Sequence, residues 1–226
     1  MLKNNLSHVA FILDGNKRWA KKNNLSNSIG YEKGFDRIKD VVNFSHEINL
    51  QNITLFTLSS ENLNRPSVKL IYEIIYTNFT SLINEFSKKK NININIFGSK
   101  KNLPIKLINI FKEAEKFNKI ENKLNLNIAF NYGFKEEVLE VIRKYKNSNI
   151  DTLEENHIRK LFYLGSIPDP ELLIRTGGYK RLSNFIMYNL TYTELFFTNT
   201  LWPDFSLDEY SEIIKNFNKI DRNYGL

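Results

Sequence analysis

Cysteine is absent from all 226 residues. Disulfide bonds, thiolate nucleophiles and cysteine-ligated metals are therefore excluded. No apolar run approaches the ~20 residues needed to span a bilayer. The start, with Lys3, Asn4 and Asn5, lacks the apolar stretch of a cleavable signal peptide. These absences give the expectation of a cytoplasmic protein. No Pro/Gly/Ser-rich linker and no internal repeat divides the chain, so a single domain over residues 1–226 is expected. The histidines His8, His46 and His157 show no zinc-ligand spacing, and none is assigned to catalysis. A G-x-x-x-x-G-K-[ST] loop is missing, and no G-x-G-x-x-G follows a strand.

What is there looks globular: 42% hydrophobic and 25% charged residues suit a packed core. A net charge of +7 fits a nucleic acid, an anionic membrane surface or a phosphorylated metabolite, and equally a solvated Lys- and Asn-rich surface. Periodicity places strands at 8–13, 53–58, 91–97, 124–130, 171–174 and 194–197. Helical spacing is expected after Asn16 and over 31–49, 67–89, 104–118, 134–146, 152–163, 184–190 and 206–219. Asn23 to Gly30 reads as a polar loop, and Asn131-Tyr132-Gly133 as a turn. Alternating strands and helices predict an α/β fold with a central, mostly parallel sheet flanked by helices. Ligands of such sheets sit beyond the carboxyl ends of the strands. Asp14, Ser59 and Thr176 would each lie just past a strand end.

Chemistry concentrates in a few segments. In His8–Trp19 an apolar strand stops at Asp14, then Gly15, Asn16, Lys17 and Arg18 follow. A carboxylate, backbone N–H groups and two cations suit a metal-bound phosphate or diphosphate. Ser59-Ser60-Glu61-Asn62-Leu63-Asn64-Arg65-Pro66 is either a solvated capping loop or part of the same rim. Arg175-Thr176-Gly177-Gly178-Tyr179-Lys180-Arg181-Leu182-Ser183 is either a charged surface turn or an anion cradle, with glycines opening backbone N–H groups and Arg forks matching phosphate oxygens. Glu194 lies in an apolar run and needs a partner, either a salt bridge or a metal.

Together with Asn127–Gly133 and Leu201-Trp202-Pro203-Asp204-Phe205, these segments resemble, in order and nearly end to end, the cis-prenyltransferase family. The resemblance implies a homodimeric α/β enzyme with a hydrophobic tunnel. It would condense an allylic diphosphate such as farnesyl diphosphate with successive isopentenyl diphosphate units, using Mg²⁺. The product would be a Z-polyprenyl diphosphate, undecaprenyl diphosphate for a cell-wall lipid carrier. The Asp-Asp-x-x-Asp motifs of trans-prenyltransferases are missing, as they are from this family.

By matching position, the resemblance makes Asp14 the catalytic aspartate and a Mg²⁺ ligand, Glu194 the second ligand and Asn62 the proton acceptor. Gly15, Asn16, Lys17, Arg18, Trp19 and Arg65 would surround the allylic diphosphate, with Tyr31, Ser59, Ser60, Glu61 and Leu63 lining the same site. Arg175, Arg181, Leu182 and Ser183 would serve isopentenyl diphosphate. Phe79, Leu82, Ile83 and Phe86 form an i, i+3, i+4, i+7 apolar stripe, either ordinary core or in part a wall of the tunnel that the resemblance implies. Transient contact at the inner membrane surface is expected from a lipid product.

The sequence departs from the family pattern at Asn27 (Arg in the family), Tyr31 (His), Leu63 (Trp) and Asn223-Tyr224-Gly225 (Arg-x-Gly), with Arg222 one place earlier. Each lost charge-assisted bond costs roughly 1.5–3 kcal/mol, and Lys21, Lys22 and Lys180 are placed to compensate. A non-catalytic partner subunit would typically lack the Asp14-Gly15-Asn16 motif. A nucleic-acid binder would need basic residues interleaved with aromatics, and no such face is found.

Overall fold

The computed structural model describes residues 6–63, 65–89, 91–148 and 154–222. Expectations placed on Asn64, on 152–153 and on Asn223, Tyr224 and Gly225 fall outside the described residues. In chain order the elements are β1 (His8–Ile12), α1 (Asn16–Lys22), α2 (Asn27–Glu47), β2 (Asn52–Ser59), α3 (Val68–Ile83), β3 (Ile92–Phe97), α4 (Ile105–Glu115), β4 (Leu124–Tyr132), α5 (Phe134–Lys146), α6 (Glu155–Arg159), β5 (Leu172–Arg175), β6 (Glu194–Phe197) and α7 (Leu207–Phe217). The six strands form one sheet in the order β3-β4-β2-β1-β5-β6, with every pairing parallel. Chain connections run to one side of β1 through β2–β4 and to the other through β5 and β6, so the crevice of the sheet opens where β1 meets β5.

Several boundaries differ from the sequence reading, each for a local reason. The second half of the expected Asn23–Gly30 loop is helix: the Ser26 side chain accepts from the Ile29 N–H and starts α2 at Asn27. α3 ends at Ile83, and the chain continues as a π-helical turn over Asn84–Lys89. Asn131 and Tyr132 extend β4 rather than turning, although Asn131 has φ 51°. Its side chain donates to the carbonyls of Ser99 and Lys101 at 2.7 and 3.2 Å, which holds the left-handed residue inside the strand. The helix expected at 152–163 is confined to α6, and that at 184–190 to a 3₁₀ turn over Met187–Leu190.

Strand alternation divides the core. Val9, Phe11, Ile53, Leu55, Leu126 and Ile128 face α2, α3, α4 and α7 in one cluster. Ala10, Ile12, Phe56, Ala129 and Leu173 face the opposite side, where Phe185, Ile186 and Leu164 cover them. On that second side His8 is buried beneath the strands. Its Nδ1 lies 2.7 Å from the Pro168 carbonyl and its Nε2 2.7 Å from the Thr54 hydroxyl. Burial pushes its pKa down from 6.5 to about 4, so the ring is neutral at pH 7.

Candidate active site

The carboxyl ends of β1, β2 and β5 bring three distant segments together. Asp14, two residues past β1, is fixed through its backbone: its N–H donates to the Thr176 hydroxyl at 3.0 Å, and its carbonyl accepts from that hydroxyl at 2.9 Å and from the Trp202 N–H at 3.0 Å. Its two carboxylate oxygens are held separately, by Arg18 Nη2 at 3.0 Å and Arg175 Nη2 at 3.0 Å. Arg175, the last residue of β5, is buried. It also donates to the Ser183 hydroxyl at 2.7 Å and to the Arg181 carbonyl, while its Nε has no hydrogen-bond partner. Burial lowers the Arg175 pKa, and the Asp14 carboxylate opposes that shift. Asp14, Arg18, Arg175, Arg181 and Ser183 therefore share one network, as the sequence led one to expect of the two motifs.

The glycine pair behaves differently from the sequence reading. The Gly177 and Gly178 N–H groups donate to the Thr200 and Thr198 carbonyls at 2.7 and 2.8 Å, so they are not available to an anion. The pair matters sterically instead. A Cβ at Gly177 (φ +85°) would fall 2.5 Å from Arg18 Nη2. The next residue, Tyr179, was not picked out from the sequence. Its ring gathers three guanidinium groups, Arg181 at 4.4 Å, Arg18 at 4.7 Å and Arg175 at 6.0 Å from the centroid. Electron-rich ring faces offset part of the repulsion among these cations. The signal available in the sequence was an aromatic flanked by Arg175 and Arg181 within a turn.

Beside this network lies a polar pocket of about 170 Å³, lined by Asp14, Gly15, Asn16, Lys17, Arg18, Tyr31, Asn62, Arg65 and Ser67 among others. Three cations against one carboxylate favour an anionic ligand. Burial raises the Tyr31 pKa, while its hydrogen bond with Ser67 and the charge of Arg65 act in the opposite direction, placing the phenol between α2 and the segment after β2. Leu13, Asn16, Tyr31, Thr57 and Ile71 also line a second space, an apolar cavity of about 90 Å³ between the sheet, α2, α3 and α4. Its walls include Phe35, Ile38, Leu55, Ile75, Phe79, Leu82 and Phe130. Gly34 makes the junction possible: a Cβ there would lie 2.1 Å from the Asn16 side-chain oxygen, a buried atom with no hydrogen-bond partner.

Other expected residues sit elsewhere. Trp19 bonds Asp204 at 2.5 Å through its indole N–H and does not line the polar pocket or the cavity. Leu63 packs against the larger core cluster and Leu182 against the smaller. Ser59 ends β2, and Ser60 and Glu61 form a 3₁₀ turn against Asn184, whose amide donates to Glu61 at 3.4 Å. Of the α3 stripe, Phe79 and Leu82 reach the cavity, whereas Ile83 and Phe86 fill the core beside it. Glu194 opens β6 and pairs in register with Leu172, three residues before Arg175. That puts it roughly 10 Å below the rim and two strands from β1. Arg222 Nε lies 4.0 Å from its carboxylate.

Mg²⁺ takes oxygen ligands and is commonly bound by one or two carboxylates plus substrate phosphates. Asp14, 30% exposed at the cationic pocket, fits that mode. No group of three acidic, histidine or cysteine side chains forms a protein-only cage among the described residues.

A cationic pocket at the strand ends thus adjoins an apolar cavity in an α/β protein. The prenyltransferase family model for undecaprenyl diphosphate synthase matches residues 12–225. An isoprenyl transferase of Aquifex aeolicus is 36% identical over 220 residues, covering 96% of this chain and 95% of its own. A tritrans,polycis-undecaprenyl-diphosphate synthase (geranylgeranyl-diphosphate specific) of Thermoplasma acidophilum is 33% identical, covering 96% and 88%. The crystal structure of lavandulyl diphosphate synthase from Lavandula x intermedia, in complex with dimethylallyl diphosphate, superposes with a TM-score of 0.93 at 27% identity, covering 98% of each chain. The chain therefore belongs to the undecaprenyl diphosphate synthase family of prenyltransferases.

Proposed function

We propose that this protein condenses an allylic diphosphate, farnesyl diphosphate, with successive isopentenyl diphosphate units in the presence of Mg²⁺, giving a Z-polyprenyl diphosphate of undecaprenyl length. One observation carries this reading: the cationic pocket and the apolar cavity share Leu13, Asn16, Tyr31, Thr57 and Ile71 as common walls. A diphosphate held at Asp14, Lys17, Arg18 and Arg65 would thus send its prenyl chain into the cavity.

In this reading the chain's residues divide the work. Lys17, Arg18 and Arg65, with the first-turn amides of α1 that lack partners within the helix, bind the allylic diphosphate. Arg175, Arg181 and Ser183 hold the isopentenyl diphosphate so that its alkene faces C1 of the allylic chain, and proximity lowers the barrier. The C1–O bond breaks with its electron pair leaving on diphosphate, the new C–C bond forms, and a proton departs from the extended chain. Asp14 would hold Mg²⁺, which would supply charge neutralisation for the departing diphosphate. Asn62, a neutral amide in the polar pocket, orients the proton acceptor, which is a diphosphate oxygen or water.

Association into a homodimer is part of the proposal. β6 is an edge strand, and Leu195 within it and Tyr192 just before it are exposed. Glu194 then serves as a metal ligand only across an interface between two copies. No described helix is long and apolar enough to cross a membrane. The enzyme is proposed to work in the cytoplasm and to touch the inner membrane surface transiently when releasing product, without a nucleic-acid partner.

The test is incubation with labelled isopentenyl diphosphate, Mg²⁺ and either farnesyl or geranylgeranyl diphosphate. Label is expected in butanol-extractable lipid, with farnesyl diphosphate the better primer; no incorporation with either primer overturns the reading. Asp14→Ala is expected to lower turnover by about 10³-fold, in line with losing one preorganised charge-stabilising group, with an unchanged circular dichroism spectrum. Turnover near the wild-type rate would remove Asp14 from its role.

A further inference from the structure

Arg175 is aimed by a short segment of unusual backbone. Its Nη1 donates to the Ser183 hydroxyl at 2.7 Å and its Nη2 to Asp14 at 3.0 Å. Ser183 and the next residue, Asn184, are both left-handed, with φ 52° and 63°. Non-glycine residues rarely adopt that conformation, and two in succession persist only where surrounding contacts impose it. Asparagine tolerates it through local hydrogen bonds, whereas serine is not among the residues that visit it routinely. The Ser183 hydroxyl thus faces Arg175 because its neighbours hold it there.

Asn184 supplies that hold from both backbone and side chain. Its carbonyl accepts from the Phe134 N–H at 2.8 Å, and its Oδ1 accepts from the Lys135 N–H at 3.0 Å. These are first-turn N–H groups of α5, which have no partner within the helix, and the N-cap residue of α5, Gly133, has no side chain to serve them. The Asn184 Nδ2 donates to Glu61 at 3.4 Å, in the 3₁₀ turn Ser60–Asn62. Gly133 leaves room for this meeting: a Cβ there would lie 2.8 Å from Asn184 Nδ2 and 2.7 Å from Ser60 Oγ. Phe185, next in the chain, is fully buried and stacks on Phe56, which fixes the far end of the left-handed pair. Asn184 therefore ties together the segment that holds Arg175, the start of α5 and the turn that carries Asn62 to the polar pocket.

We propose that Asn184 is a positioning residue for the isopentenyl diphosphate half of the site: its side-chain bridge to α5 fixes the left-handed pair, and through Ser183 it fixes the Arg175 guanidinium. This rests on the prenyl-transfer reading above, which gives Arg175 and Ser183 to isopentenyl diphosphate. Asn184→Gly isolates the bridge, because glycine takes the same φ without strain and lacks the acceptor. The test is steady-state kinetics of the full chain with farnesyl and isopentenyl diphosphates. In Asn184→Gly the KM for isopentenyl diphosphate is expected to rise about 10-fold, in line with losing one hydrogen bond, while kcat and the KM for farnesyl diphosphate stay within about two-fold of wild type. Asn184→Asp keeps the left-handed tolerance and an acceptor at the start of α5, and is expected to bring that KM back to within about three-fold of wild type. A wild-type KM for isopentenyl diphosphate in Asn184→Gly overturns the proposal. So does an equal rise in both KM values, which marks general loosening, and so does an aspartate variant no better than the glycine one. If Asn184→Gly does not fold, Lys135→Pro removes the same hydrogen bond from the donor side, in a helix first turn that accommodates proline, and carries the same expectations. If the wild type makes no prenyl product at all, the prenyl-transfer reading fails, and crystal structures judge the positioning separately. A Ser183 hydroxyl out of hydrogen-bonding reach of Arg175 in Asn184→Gly supports it; an unchanged 2.7 Å contact refutes it.

Discussion

On one face of the sheet Phe56 and Phe185 stack with centroids 4.6 Å apart at 7°, and Tyr132 closes on both edge-on. On the other face Leu55, Thr57, Ile128 and Phe130 look into the apolar cavity. The same strands supply both surfaces, since alternate side chains point to opposite sides. The coverings differ. The ring-stacked face is sealed by an irregular segment that drops Phe185 onto the sheet, with Asn184 tied by its carbonyls to the N–H groups of Phe134 and Lys135 at 2.8 and 3.0 Å. The cavity face is covered by the long helices α2 and α3. Wall atoms of an open cavity give up dispersion contacts that the sealed face makes. Around the cavity the packing is thus looser than at the ring stack, and that face offers space for a ligand.

That contrast is sharpest in paired truncations. Phe56→Ala on the sealed face is expected to cost about 3–5 kcal/mol, whereas Ile75→Ala in the cavity wall should fall near or below the lower end of the 2–5 kcal/mol range for aliphatic truncations. Urea unfolding of both variants measures the difference. Equal losses would show that the cavity wall is as tightly packed as the ring stack.

A smaller effect separates the faces by pH. The folded pKa of His8, about 4, lies below the unfolded value of 6.5. The unfolded state therefore takes up a proton first as pH falls, and stability is complete above pH ~6.5 and lost on the way down to pH ~4. The loss should reach roughly 2–3 kcal/mol by pH ~4.5, read from urea midpoints at pH 7.5 and 4.5. Replacing His8 by Gln should remove that share of the pH dependence; an unchanged slope would assign it to other groups.

The smallest expected effect lies at the rim. The two closest cation–π contacts, Arg181 at 4.4 Å and Arg18 at 4.7 Å, are worth about 1–2 kcal/mol together, so Tyr179→Leu is expected to weaken inorganic pyrophosphate binding by about 10-fold in calorimetry. Tyr179→Phe keeps the ring and should bind within about two-fold of wild type. Equal weakening in both variants would trace the effect to the hydroxyl and not to the ring.

Much of this was legible in the chain. The run ending at Asp14 and the Arg175–Ser183 turn were read as strand exits, and they do meet in one network. Other features were not legible, for definite reasons. A strand's two-residue period tells which face a side chain takes but not its height in the sheet, so Glu194 could be placed in a strand and not at the end away from Asp14. A Gly-Gly pair signals backbone freedom without saying whether its N–H groups are already bonded, and here the Thr198 and Thr200 carbonyls hold them. A cap can outweigh composition, and Ser26 turned a polar stretch into the start of α2.

By itself the sequence determined the alternation of strands and helices, the parallel sheet this requires, and which short polar segments would carry charge, because these follow from periodicity and side-chain chemistry within a few residues. Only the tertiary structure decided that Tyr179 gathers three arginines, that the cationic pocket and the apolar cavity share walls, and that Asn184 ties the Ser183 turn to the start of α5. Those outcomes depend on contacts between residues far apart in the chain, set by strand order, helix stand-off and the packing of rings, and no local pattern encodes them.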